Sequence, residues 1–158
     1  MLTLRDLAPV LTAARAVDGP EGPDAVIGAL AATGWDESID EARARTEERS
    51  WRHAGPPNGR PFGGSAWVSD QYGRISVGII VEAVSSETAR ELHDAIHNQI
   101  ISDSRLVAIA SDKVWSNWSD GHQIVRLALH DSPAQDGQPL PPTVQVSFEP
   151  ADSTEPEV

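Results

Sequence analysis

The sequence has no cysteine, which excludes disulfides, thiolate nucleophiles and cysteine-ligated metals. Tyrosine and methionine occur once each and phenylalanine twice, so the large core side chains must be aliphatic or tryptophan. No apolar run reaches the ~20 residues that span a bilayer as a helix. The first residues, Met1 to Asp6, lack the basic region, apolar stretch and cleavage site of a secretory signal, so a cytoplasmic location is expected. The phosphate-binding loops, Walker and G-x-G-x-x-G, do not occur, and no serine sits in a G-x-S-x-G elbow. Gly63-Gly64-Ser65 comes nearest and lacks the closing glycine.

What is present is acidic. Twelve basic residues face 24 acidic ones, a net charge of −12, and every basic residue except Lys113 is arginine. Residues 131–158 carry six acidic residues and no basic one, so half of the excess lies in that last stretch. The body is mildly acidic. This argues against phosphate-based nucleic-acid binding, which needs a basic face. It suits a basic protein partner, whose encounter the opposite field would speed. At 158 residues with 39% hydrophobic content, one domain with a real core is expected over residues 1–148, followed by a disordered acidic tail over 149–158.

The clearest element is the run from Arg74 to Val84. Ile75, Val77, Ile79, Val81 and Ala83 share one face by the two-residue period. Ser85 and Ser86 then offer an N-cap, Glu87 suits the positive end of the helix dipole, and Ala89, Leu92, Ile96 and Ile100 form one helical stripe. Upstream, Thr3 to Val17 reads as a helix with Leu4, Leu7, Leu11 and Ala14 inward. A second helix starts near Asp24 and ends at Gly34. The charged residues 36–50 read as a loop, with an edge strand following at about 45–53. Gly64 to Ser69 forms a hairpin with the central strand. Residues 103–110 read equally as a short strand or a helical turn. Lys113 to Trp118 and His122 to Leu129 read as strands joined at Asp120-Gly121, with Val125, Leu127 and Leu129 inward. Thr143 to Phe148 closes the set with Val144, Val146 and Phe148 on one face. The predicted fold is α+β: a twisted antiparallel sheet of five or six strands, helices on one face, in the order α-α-β-β-β-α-β-β-β.

Three groups of side chains are candidates for function. His93 and His97 stand four apart on the predicted helix, a metal-sharing spacing, but Asp94 stands where a zincin has glutamate, and no third ligand follows at a motif spacing. No metal or cofactor is therefore assigned, and a metal-dependent enzyme using these two histidines is kept as a second alternative. The five tryptophans, Trp35, Trp51, Trp67, Trp115 and Trp118, are the second group. Trp115 and Trp118 are three apart, so in a strand they point to opposite faces and simple alternation buries only one. Exposed tryptophan is a favoured interface anchor. The third group is the acidic run Asp36, Glu37, Asp40 and Glu41, which lacks the EF-hand ligand pattern and reads as a solvated face or a site for a basic surface. The expected partner-binding residues are Asp36, Glu37, Asp40, Glu41, Trp51, Trp115 and Trp118, on a protein that is not an enzyme.

Gly34-Trp35, the Trp67 hairpin with its Ile75-to-Val81 strand, and the segment Trp115-Ser116-Asn117-Trp118-Ser119-Asp120-Gly121 give the chain a recognisable layout. In that layout it resembles the small, acidic, cysteine-free immunity partners of actinobacterial polymorphic toxin systems. The resemblance implies an inhibitor that occludes a basic toxin or enzyme. The helix–strands–helix–strands order is similar too to that of bacterial secretion chaperones, which implies the alternative of an adaptor for a client protein. The oligomeric state is left open.

Overall fold

A computed structural model describes residues 4–17, 22–38, 48–53, 63–71, 74–131 and 142–151. Helices α1 (Leu4–Arg15) and α2 (Pro23–Ala32) come first. Strands β1 (Asp36–Ser38), β2 (Glu48–His53), β3 (Gly64–Gln71) and β4 (Arg74–Glu82) follow. Helix α3 (Ser86–Ile101) leads to β5 (Val107–Ala108), β6 (Trp115–Ser119), β7 (Gln123–His130) and β8 (Thr143–Pro150). The fold is α+β as expected, but among the described residues the sheet has eight strands, in the spatial order β1-β2-β3-β4-β8-β7-β6-β5, every neighbouring pair antiparallel. The two strands beyond the expected six, β1 and β5, are three and two residues long. Such pieces carry too little sequence to show a period.

Two boundaries move. The strand expected at the sheet edge over about 45–53 is described over Glu48–His53, residues 45–47 lying outside the described residues, and it lies one place inside the edge, because β1 pairs on its outer side: Glu37 opposes Trp51. The last strand does not stop at Phe148. Glu149 and Pro150 pair with Ile124 and Gln123, and the Ala151 N–H donates to His122 O. Of the expected acidic tail, residues 152–158 lie outside the described residues, as do Asp40 and Glu41.

The local sequence signals act as their chemistry requires. Ser85 Oγ accepts the Thr88 N–H at 3.1 Å and caps α3. Gly34 takes φ +88°, the left-handed turn that ends α2. The Gly34 N–H donates to Ala31 O, and the Trp35 N–H to Leu30 O, which satisfies two helix-end carbonyls and swings Trp35 into the core.

The core lies between the helices and one face of the sheet. Because directly opposed residues share a face, the pairings define rows across it. One row reads Trp118, Val125, Phe148, Val77, Val68; the next reads Leu127, Val146, Ile79, Ala66, Trp51. All ten are buried, in one cluster with Leu7, Val10, Val26, Leu30, Ala89 and Ile96 from the helices α1, α2 and α3. The register puts Trp67, Gly78, Ser147, Arg126 and Asn117 on the opposite face.

One arginine ties the helical layer to the sheet. Arg15, in the last turn of α1, bonds Asp103 Oδ2 through Nε at 3.0 Å and Gln123 Oε1 through Nη1 at 2.9 Å. Its Nη2 lies 2.8 Å from Asp120 Oδ2. Gln123 Nε2 in turn donates to Ala14 O at 3.0 Å. The end of α1, the end of α3 and the β6–β7 turn thus meet on one guanidinium.

Candidate protein-binding face

No helix among the described residues packs on the second face of the sheet, where Trp115 is the largest half-buried group towards the β5 end. Trp115 opens β6, its N–H held at 2.7 Å by Asp112 Oδ1, which also accepts the Val114 N–H at 2.8 Å. These two donors, then the Arg126 charge, hold the Asp112 carboxyl below its ordinary pKa of 3.8. Fixed there by the turn, Trp115 stands opposite Ala128, a fully buried small residue that leaves room for the indole.

Two neighbours on β7 complete the platform. The Arg126 guanidinium carbon sits 4.7 Å from the Trp115 ring centroid, and the His130 ring meets the indole edge-on at 5.9 Å. Arg126 Nε donates to Asn117 Oδ1 at 3.1 Å, and Nη1 lies 3.8 Å from Glu149. The guanidinium is therefore held on three sides, by an aromatic face, an amide and a carboxylate. Rigid Trp–Arg pairs of this kind concentrate binding energy because little side-chain entropy remains to be lost on contact. Arg126 and His130 were not singled out from the sequence. The signal was there: Arg126, Ala128 and His130 share the face of β7 opposite to Val125 and Leu127.

The other expected site residues are dispersed. Trp51 and Trp118 are 3% and 6% exposed and belong to the core, so neither anchors a partner on this surface; alternation buried Trp118 and turned Trp115 outward. Asp36 is exposed on the edge strand β1. Glu37 is bidentate with Arg49, at 2.7 Å from both Nε and Nη2, so part of the acidic run is neutralised within the chain. The Arg49 hydrogen bonds lower the Glu37 pKa from 4.5, and Arg49 also lies over the Trp51 ring at 5.2 Å.

His93 and His97 are half-buried and stack with centroids 6.3 Å apart. His97 packs edge-on against Trp118 at 5.4 Å, and His93 Nδ1 lies 3.2 Å from Asp94. Among the described residues no group of three histidine, aspartate or glutamate side chains is placed to hold a metal ion. A cleft of about 360 Å³ opens between the C-terminal halves of α1 and α3, floored by Leu11, Ile96, Ile100 and Phe148 and lipped by Arg15 and Asp103. No helix of the described residues is long and apolar enough to cross a membrane. No family model, curated protein or solved structure matches the chain.

Proposed function

We propose that the chain is a protein-binding module, of the immunity type, that occludes a basic toxin or enzyme partner through the helix-free face of its sheet. The observation that carries this reading is the Trp115 platform, an indole fixed between Ala128, Arg126 and His130 on a face that no described helix covers. A tryptophan–arginine centre ringed by polar groups has the composition of an interface hot spot. The net charge of −12 supports a basic partner, with on-rates that fall as salt rises.

The test is capture and inhibition. The full chain and its W115A and R126A variants, each checked for fold, are used to retain partners from host lysate. The captured protein is then assayed for its own activity with and without the chain. A basic partner held by the wild type, inhibited by it and lost from both variants supports the proposal. A partner held equally by W115A and R126A overturns it.

The secretion-chaperone reading is favoured by one observation, the apolar-floored cleft between α1 and α3, which would accept an apolar side chain of an extended client. Leu106→Glu, which charges a half-buried wall of that cleft, would then abolish capture while W115A would not.

A further inference from the structure

The two edges of the sheet are built differently. On one side β1 presents Asp36 and Glu37, with Arg49 beside them. Charge on an edge strand discourages pairing with another chain. On the other side β5 continues into an uncharged stretch, Leu106-Val107-Ala108-Ile109-Ala110. Here Val107 is 65% exposed, Ile109 41% and the nearby Val114 46%, three of the five large exposed apolar side chains among the described residues. Native sheets seldom leave an uncharged apolar edge open.

The direction of the backbone groups is fixed by the pairing. The Ile109 N–H donates inward to Asn117 O at 2.9 Å, and β5 pairs Val107 with Ser119 and Ala108 with Trp118. In an antiparallel ladder the groups alternate, so Ala108 turns its N–H and C=O away from β6, towards the open edge. We infer that this edge is a self-association surface, where β5 pairs antiparallel with β5 of a second copy about a two-fold axis through Ala108.

The sequence around Ala108 is self-complementary for that operation. Two-fold pairing gives Ala108 two reciprocal hydrogen bonds with Ala108 of the second copy. It sets Val107 of each copy opposite Ile109 of the other, two β-branched pairs on one face. It also brings the beginning of one strand beside the end of the other, so exposed Arg105 of each copy approaches exposed Asp112 of the other. Acting against this is the charge of −12 on each copy, which repels at long range. Salt therefore strengthens the dimer, the reverse of its effect on a basic partner. Paired this way, the two sheets form one continuous sheet whose helix-free side carries both Trp115 platforms.

The test is the mass of the full chain in solution by sedimentation equilibrium, at up to about 100 µM and at about 20 mM and 0.5 M NaCl. The expected result is a species of twice 16.9 kDa whose dissociation constant falls with salt. Ala108→Pro removes only the outward N–H, a substitution that edge strands tolerate. It should weaken the dimer at least about tenfold without changing the melting temperature measured at a dilution where both chains are monomeric. Val107→Lys, at an exposed position, does the same by charge and decides the matter should A108P fail to fold. W115A should leave the dimer mass unchanged, so this inference and the partner proposal fail separately. A monomer throughout that range, or a dimer that survives both folded edge variants, overturns it. So does a monomer whose Ala108 amide gains exchange protection only with a captured partner, which would give the edge to a client strand.

Discussion

Arg15 and Asp103, 88 residues apart in sequence, meet at 3.0 Å and join the last turn of the first helix to the exit of the third. The side chains of Arg15, Asp103 and Asp120 are only 16%, 19% and 15% exposed, so this cluster is desolvated well beyond an ordinary surface pair. Removing Arg15 takes the cation from Asp120 and leaves Asp103 with the exposed Arg105 alone, both carboxylates having reduced access to water. Arg15→Met should therefore destabilise the fold by about 2–4 kcal/mol, read as a lower urea midpoint. The exposed Glu37–Arg49 pair is the internal control: Glu37→Gln should cost less than about 1 kcal/mol.

Asp103 makes the fold acid-sensitive. The Arg105 hydrogen bonds first, and Arg15 as well, lower its pKa from 3.8 to about 2. A carboxylate with a lower pKa folded than unfolded contributes fully above its unfolded value and loses that contribution as the pH falls through its folded one. Stability should hold above about pH 5 and decline between about pH 4 and 2, with Asp103 responsible for on the order of 1 kcal/mol after solvent screening. In Asp103→Asn the slope of stability against pH over that window should flatten, while stability at neutral pH falls. An unchanged slope would show that other groups carry the acid response. Asp120 adds in the same direction: burial raises its pKa, but the His122 and Gln123 N–H groups and Arg15 outweigh it.

Trp115 and Trp118 should separate cleanly in their consequences. Trp118→Ala empties a core position and should cost about 3–5 kcal/mol. Trp115→Ala removes a half-buried ring from the sheet surface and should cost roughly 1–2 kcal/mol, while lowering partner affinity at least about 30-fold, the measure of a hot spot. Thermal melts and binding of the two variants, measured together, test the assignment. Equal stability losses would mean that both rings are structural.

Gly78 is held small by its cross-strand neighbour. It opposes Trp67, and a Cβ added there would overlap the Trp67 indole. Gly78→Ala should destabilise by about 1–3 kcal/mol through overpacking. Combining it with Trp67→Val should recover part of that loss, giving a coupling energy above about 0.5 kcal/mol in a double-mutant cycle. Simple additivity would show that the two residues do not share the space.

The long elements and their inward faces are legible in the order of the residues alone. Nine residues from Arg74 to Glu82 and sixteen from Ser86 to Ile101 repeat their period often enough to be read from local steric rules. The parity of Trp115 and Trp118 was legible for the same reason, since a spacing of three in a strand must divide the faces. Which of the two went inward was not, because that depends on which face the helices cover. Tertiary structure alone decided that β4 lies beside β8, a non-local pairing whose register rests on contacts between Val77 and Phe148 and between Val81 and Val144. It also decided β1 and β5, pieces too short to be strands without a neighbour to pair with. The Arg15 cluster belongs to the same class: Arg15, Asp103, Asp120 and Gln123 are ordinary polar residues in sequence. Only the closing of α1 and α3 over the sheet brings them close enough for desolvated charges to require one another.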